Sequence, residues 1–202
     1  MIRAMSASSA IARATHLDQA AFRRWLTRRP ALDLNHYELL DGRIVTTPPA
    51  GWPHGRIDAM LAHLLEAHVA QHRLGIVLGS SAGYDLPSGD TVEPDVSFIS
   101  RAQFAAGPPP TRGRFVRIVP TLVVEVLSPS TSRRDRTPKR AIYERNGIAE
   151  YWLVDPTREN VTVLALQGGR YNRARSVAAG RIPSRVLPDL HVTVEQIFDL
   201  GV

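Results

Sequence analysis

Hydrophobic positions recur along this chain with two periods, and the period changes near residue 75. Residues 18–28 carry Phe22, Trp25 and Leu26 on one side of a helical repeat, with Asp18 placed to accept from the first turn, so a short helix is predicted there. Residues 55–73 repeat Ile57, Met60, Leu61, Leu64, Leu65 and Val69 at the spacing of an amphipathic helix with one buried stripe. Between these helices, residues 36–46 set Asp41-Gly42 between two apolar-bearing runs, which predicts a β-hairpin. Residues 47–53 hold three prolines and predict a loop.

Downstream, short β-rich runs at 76–78, 95–99 and 122–127 are bounded by Gly, Pro and Ser. Residues 107–114 predict a surface loop. Residues 135–146 predict a helix entered near Thr137-Pro138 and stopped by Gly147. A strand at 151–154 closes on Asp155-Pro156, a hairpin at 161–166 and 171–177 turns around Gly168-Gly169, and 194–200 is a short helix or turn. Residues 1–17 form an expected flexible arm and 18–202 one domain. Strands interleaved with two main helices define an α/β (α+β) class, a mixed central sheet flanked by helices with an N-terminal β-hairpin.

Composition narrows the chemistry. The 202 residues contain no cysteine, which excludes a disulfide scaffold, a thiolate zinc site, a cysteine-held iron–sulfur cluster and a cysteine nucleophile. No apolar run approaches the ~18 residues of a membrane span, so no membrane partner and a cytoplasmic location are expected. The formal net charge of +6 favours a polyanionic partner, nucleic acid above all. The cations are almost all arginine: Lys139 is the sole lysine.

Three acids, Asp95, Glu125 and Glu38 of the first hairpin, and that lysine form the strongest constellation. Glu125 lies inside the apolar run 122–127, where a carboxylate is costly unless paired or metal-bound. The two-residue strand period puts Glu125 on the face of Val123 and Leu127, opposite Val124 and Val126. Asp95 opens another apolar run. If the two strands are neighbours, the carboxylates repel unless a cation lies between them. Mg2+ suits such a site, because it takes one or two carboxylates, keeps waters and accepts phosphate oxygens; the Val126 carbonyl is a further candidate oxygen. Lys139 and Tyr143 share a helix face four residues apart. Beside carboxylates the ammonium has its pKa raised, so it orients water and opposes developing charge rather than serving as resting base. Bland alternatives are a buried ion pair for Glu125, a cap for Asp95, a solvated cation for Lys139 and a packed ring for Tyr143.

Pro94-Asp95, Glu125 and a nearby lysine resemble the PD-(D/E)XK nuclease superfamily. More narrowly, YELLDGR (37–43), EPDV (93–96), PTLVVEVLSPST (120–131), the stretch from Lys139-Arg140 to Tyr143 and GIAEYWLVDP (147–156) resemble the Uma-two family of restriction endonucleases, over roughly residues 35–200. The resemblance implies a restriction-endonuclease-like core, a Mg2+-dependent phosphodiesterase site (Mn2+ as substitute), DNA as partner and a homodimer. It implies Asp95 and Glu125 as the metal-binding acids, Lys139 as the lysine of the third motif, Glu38 as the acid of the N-terminal hairpin and His54 as the histidine after the proline-rich loop. The chain departs from the superfamily at Leu127, where lysine usually follows the second acid by two residues. An inactive nucleic-acid- or protein-binding module on the same fold is the alternative; a hydrolase of smaller phosphodiesters is a third reading.

The basic run Arg133, Arg134, Arg136 and Arg140 is expected either to hold flanking phosphates or to be a solvated helix start. His68 and His72 have the i,i+4 spacing of a two-histidine metal grip, but no third ligand follows nearby, so packed or solvated rings are expected. Ser128–Thr131 lack the glycines of a nucleophile elbow and are read as a loop. Trp152 is expected in the core and Trp52, in the proline-rich loop, near a ligand.

Overall fold

The computed structural model of the protein describes residues 16–30 and 32–199. Most of the expected N-terminal arm lies outside the described residues. Leu17, assigned to that arm, instead packs against the core of Phe22, Tyr37 and Leu39, and its amide donates to the Gly42 carbonyl at 2.9 Å.

Helix α1 (Gln19–Leu26) starts at Asp18, whose side chain accepts from the Ala21 amide at 2.6 Å. Strands β1 (His36–Leu40) and β2 (Arg43–Thr47) form the expected hairpin. Its turn needs left-handed backbone at both central residues, and Asp41 (φ 48°) and Gly42 (φ 71°) supply it. Helix α2 (His54–His72) lies within one residue of expectation at each end and is closed by Arg73 in the left-handed region. Strand β3 (Gly75–Gly79) follows. The short strands β4 (Tyr84–Asp85) and β5 (Thr91–Val92) carry no pattern of their own; they extend the hairpin into a four-stranded sheet ordered β2-β1-β5-β4.

Strand β6 (Val96–Ser100) runs into a short helix α3 (Arg101–Ala106), capped by Ser100, and β7 (Leu122–Val126) follows. Next comes one continuous helical stretch: α4 (Ser132–Arg134), a π-helical turn (Asp135–Lys139) and α5 (Arg140–Arg145). The sequence placed its start three residues later, at residue 135, with entry near Thr137-Pro138. Proline in an α-helix clashes with the carbonyl four residues back, and the wider π turn accommodates it without ending the helix. Gly147 (φ 74°) stops the helix as expected, with the Ile148 amide returning to the Tyr143 carbonyl at 3.1 Å. Strands β8 (Glu150–Asp155), β9 (Asn160–Gln167) and β10 (Arg170–Val177) and helix α6 (Val194–Phe198) complete the chain.

The second sheet has six strands ordered β10-β9-β8-β7-β6-β3. Among the described residues of this sheet, β7 and β8 alone pair in parallel, since the helical stretch between them carries the chain back across the sheet. Val124, Val126, Trp152 and Val154 face α2 and the C-terminal segment, where Ile57, Leu61, Leu65 and Ile197 are buried. Val123, Leu127, Tyr151 and Leu153 face α5 and the small sheet, with Ile142, Tyr143, Tyr84 and Leu40. The strand period therefore fixes Glu125 on the α5 side, as read from its neighbours. Trp152 is in the core, its indole donating to Glu150 Oε1 at 2.7 Å.

Leu61 is fully buried and Leu34 is 75% exposed. Leu61→Ala is expected to cost about 2–5 kcal/mol in urea unfolding, whereas Leu34→Ala changes stability by no more than about 0.5 kcal/mol. Equal effects would contradict this core.

Candidate active site

The carboxyl ends of β7 and β8 open into a cavity of about 490 Å3. Openings at such ends are where sheets containing parallel strands bind ligands. Its lining includes the loop from Thr47 to Pro53, the start of α2, Ser128–Thr131 and Arg134, and its floor brings together the half-buried Asp95 and the buried Glu38, Glu125, Asp135 and Lys139. Glu38, Asp95, Glu125, Lys139 and His54, chosen from sequence, all reach this one place.

The antiparallel register pairs Val96 with Val124, so Asp95, just before β6, comes to rest beside the end of β7. Its Oδ2 accepts from the Val126 amide at 2.7 Å. Lys139 extends from the π turn onto the floor and is 1% exposed. Its Nζ lies 2.5 Å from Glu125 Oε1 and 2.9 Å from Glu38 Oε1. Tyr143, one helical turn further, donates to the same Glu125 oxygen at 2.5 Å. Glu38 also accepts from the Glu93 amide at 3.0 Å, which ties the small sheet to the site.

Burial opposes every charge here. It would push Lys139 down, but Glu125, Glu38 and Asp135 outweigh it and hold the ammonium well above the usual lysine range. Burial raises Glu125 well above the ordinary carboxylate value; Lys139 pulls it down while Asp135, Asp95 and Glu38 push it further up. Burial raises Asp135 against the pull of Lys139. It would lower His54, yet Asp95, whose Oδ2 is 3.4 Å from Nε2, holds the imidazolium and raises its pKa.

Sequence reasoning passed over three acids that line the site: Asp58, Asp135 and Glu93, the last bonded to His36 at 3.0 Å. Asp58, one turn into α2 from His54, is raised to about 6 by burial and by Asp95. Asp135 is 1% exposed, and its Oδ1 lies 3.8 Å from Arg134 Nε. The signals of Asp58 and Asp135 were the i,i+4 relations His54–Asp58 and Asp135–Lys139, each readable only once the first member is known to face the cavity. Other candidates take different places. Of the basic run, only Arg134 lines the cavity, its Nε 4.0 Å from Glu38 Oε2. Arg136 binds Asp155 at 3.0 Å, Arg140 donates to the Tyr171 carbonyl at 2.6 Å, and Arg133 is exposed to solvent. His68 lies tilted against His72, with ring centroids 4.6 Å apart, and bonds the Pro188 carbonyl at 3.0 Å.

The donor set suits a hard divalent cation. Among the described residues, four buried side-chain polar atoms lack a hydrogen-bond partner: His54 Nδ1, Asp58 Oδ1, Arg134 Nε and Asp135 Oδ1. All four residues line this cavity. Buried polar atoms are normally paired, so their concentration here marks a place built for a ligand. Among the described residues no three His, Asp or Glu side chains already surround one point. A magnesium ion needs only one or two carboxylates and retains several waters.

The fold and the acid-and-lysine floor define a nuclease-like protein. A family model described as Uma2, "Putative restriction endonuclease", matches residues 20–195, and the chain belongs to this family. It is also similar to a crystal structure titled a "putative nuclease belonging to DUF820" from Anabaena variabilis ATCC 29413, with a TM-score of 0.74 and 18% identity, covering 92% of this chain and 99% of that one. At that identity the likeness concerns the fold. No curated protein matches the chain. Among the described residues no helix is long and apolar enough to cross a membrane.

Two stability measurements check these electrostatics in metal-chelating buffer. Lys139→Met leaves Glu125 and Glu38 without their cation and is expected to cost about 3–5 kcal/mol at neutral pH. Asp58 binds its proton more tightly folded than unfolded, so its ionisation destabilises the fold as pH rises from about 4 to about 6. Asp58→Asn removes that loss: its melting temperature should exceed that of the wild type above pH 6 and converge with it below pH 4. A variant less stable at pH 8 would refute the burial assigned to Asp58.

Proposed function

We propose that the protein is a Mg2+-dependent DNA endonuclease, with Mn2+ as a substitute. The observation that carries this is a buried lysine between Glu125 and Glu38 beside Asp95, on a cavity that also collects the unpartnered polar atoms. Asp95 and Glu125, with the Val126 carbonyl, are the groups that would hold the ion. When bound, the ion polarises a phosphate oxygen and lowers the pKa of a water.

The chain's own residues divide the remaining work. Lys139, held charged and rigid by two carboxylates, orients the attacking water and opposes the negative charge that builds on the phosphoryl oxygens. Glu38 and Tyr143 fix Lys139 and Glu125 in position. Arg134 holds a phosphate oxygen at the cavity wall. The water oxygen forms a bond to phosphorus and gives up a proton to bulk solvent, and the bond to the leaving oxygen breaks. That oxygen takes a proton, which His54, whose proton Asp95 holds more tightly, can supply. The net charge of +6 draws a polyanionic substrate to the site.

The alternative is an inactive binding module, and one feature favours it: Lys139 and Tyr143 both close on a single oxygen of Glu125. Cleavage of supercoiled and branched DNA with Mg2+ or Mn2+ separates the two. Asp95→Ala and Lys139→Ala are each expected to lose at least about a hundredfold in rate. Mg2+ should also raise the melting temperature of the wild type by preferential binding to the folded state, and raise that of Asp95→Ala far less. No cleavage, with DNA binding equal in all three proteins, would sink the nuclease reading.

A further inference from the structure

We propose that Trp52 is a stacking platform for an unpaired nucleobase next to the scissile phosphate, so that the site takes single-stranded or splayed DNA in preference to continuous duplex. The inference rests on the nuclease reading and narrows its substrate.

Trp52 is 67% exposed although it lines the cavity. The other two indoles are packed. Trp152 is fully buried, and Trp25 stacks on Phe22 at 6.1 Å and meets Tyr37 edge-on at 5.0 Å. An indole left in water forgoes the burial that dominates aromatic energetics, so its exposure at a site entrance calls for an occupant. The presenting loop is stiff. Pro48, Pro49 and Pro53 each fix a backbone angle, and the Gly55 amide returns to the Gly51 carbonyl at 3.1 Å, holding the loop against the start of α2. A backbone held this way loses little entropy when a ligand stacks on the indole it presents.

The walls of the cavity match the halves of a nucleotide. Pro48, Pro49 and Trp52 make part of the lining apolar and aromatic, suited to the face of a base. The same lining offers the hydroxyls of Ser128, Ser130 and Thr131 and the guanidinium of Arg134, suited to phosphate oxygens. His54, two residues beyond Trp52, touches Asp95 and so joins the platform to the reacting end. Within a duplex each base is covered on both faces by its neighbours. An indole gains a free π-face only where a base is unpaired or terminal, or where the stack is opened.

The test uses the full chain with calcium in place of magnesium for binding and with magnesium for cleavage. Its probes are a short labelled single strand, a splayed-arm duplex and a continuous duplex of the same sequence. The single strand should quench the wild-type tryptophan emission, and Trp52→Phe should abolish most of that quenching while keeping most of the affinity read by anisotropy. Trp52→Ala should weaken single-strand and splayed-arm binding about 5- to 150-fold, slow their cleavage in proportion and leave continuous duplex nearly unchanged. Far-UV circular dichroism confirms that both variants fold. The proposal is overturned if Trp52→Ala binds and cuts the single strand like the wild type, or loses all three DNAs equally. It is also overturned if Trp52 governs self-association without DNA, which would make the indole a seat for a second copy. If nothing is cleaved but the Trp52-dependent quenching persists, the platform stands and the hydrolytic reading alone fails.

Discussion

The ammonium of Lys139, buried among carboxylates, is the constraint on which the rest of the site depends. It joins three parts of the chain that are far apart in sequence: Glu38 on the small sheet, Glu125 on the large sheet and the helical stretch that connects β7 to β8. A charge removed from water needs close opposite charge and satisfied hydrogen bonds. Lysine meets that demand in a small volume, as a compact point charge with three donors, where the broad planar fork of arginine would need more room and a different approach. This gives a physical reason for the single lysine in a chain otherwise supplied with arginine.

Charge balance then explains the cavity. Glu38, Glu125, Asp135, Asp95 and Asp58 gather around Lys139, Arg134 and His54, and burial raises the pKa of Glu125, Asp135 and Asp58. Such an excess of carboxylates in a sheltered place is unfavourable without a further cation, and the unpartnered oxygens of Asp58 and Asp135 lie where one would relieve it. Stability is traded for a prearranged set of hard oxygen donors, as sites that bind ions and charged substrates require.

The π turn is the local device that delivers the lysine. Pro138 forces the helix to widen, and the widened turn buries both Asp135 and Lys139. A regular α-helix through the same residues would meet the proline ring with the Arg134 carbonyl. The backbone irregularity and the chemistry thus share one segment, which is where π turns commonly occur.

Much of this was legible in the residues. The alternation in 122–127 placed Glu125 on the face of Val123 and Leu127, and Asp41-Gly42, Asp18 and Gly147 marked a turn and two helix ends, because each of these follows from backbone geometry a few residues long. The amphipathic stripe of α2 was equally local. What the chain could not show locally was pairing. The strands β4 and β5 have too few residues to carry a period and exist because β1 offers an edge. Asp58 and Asp135 look like ordinary helix-surface acids until the sheet register brings Asp95 and Glu125 beside them. Arg136 and Arg140 look like Arg134 in sequence, and only the packing of the helix on β8 and β10 commits them to Asp155 and the Tyr171 carbonyl. Residue types and their short-range periods determined the elements and the chemistry on offer; burial and long-range charge, which depend on what lies across space, decided which of those groups form the site.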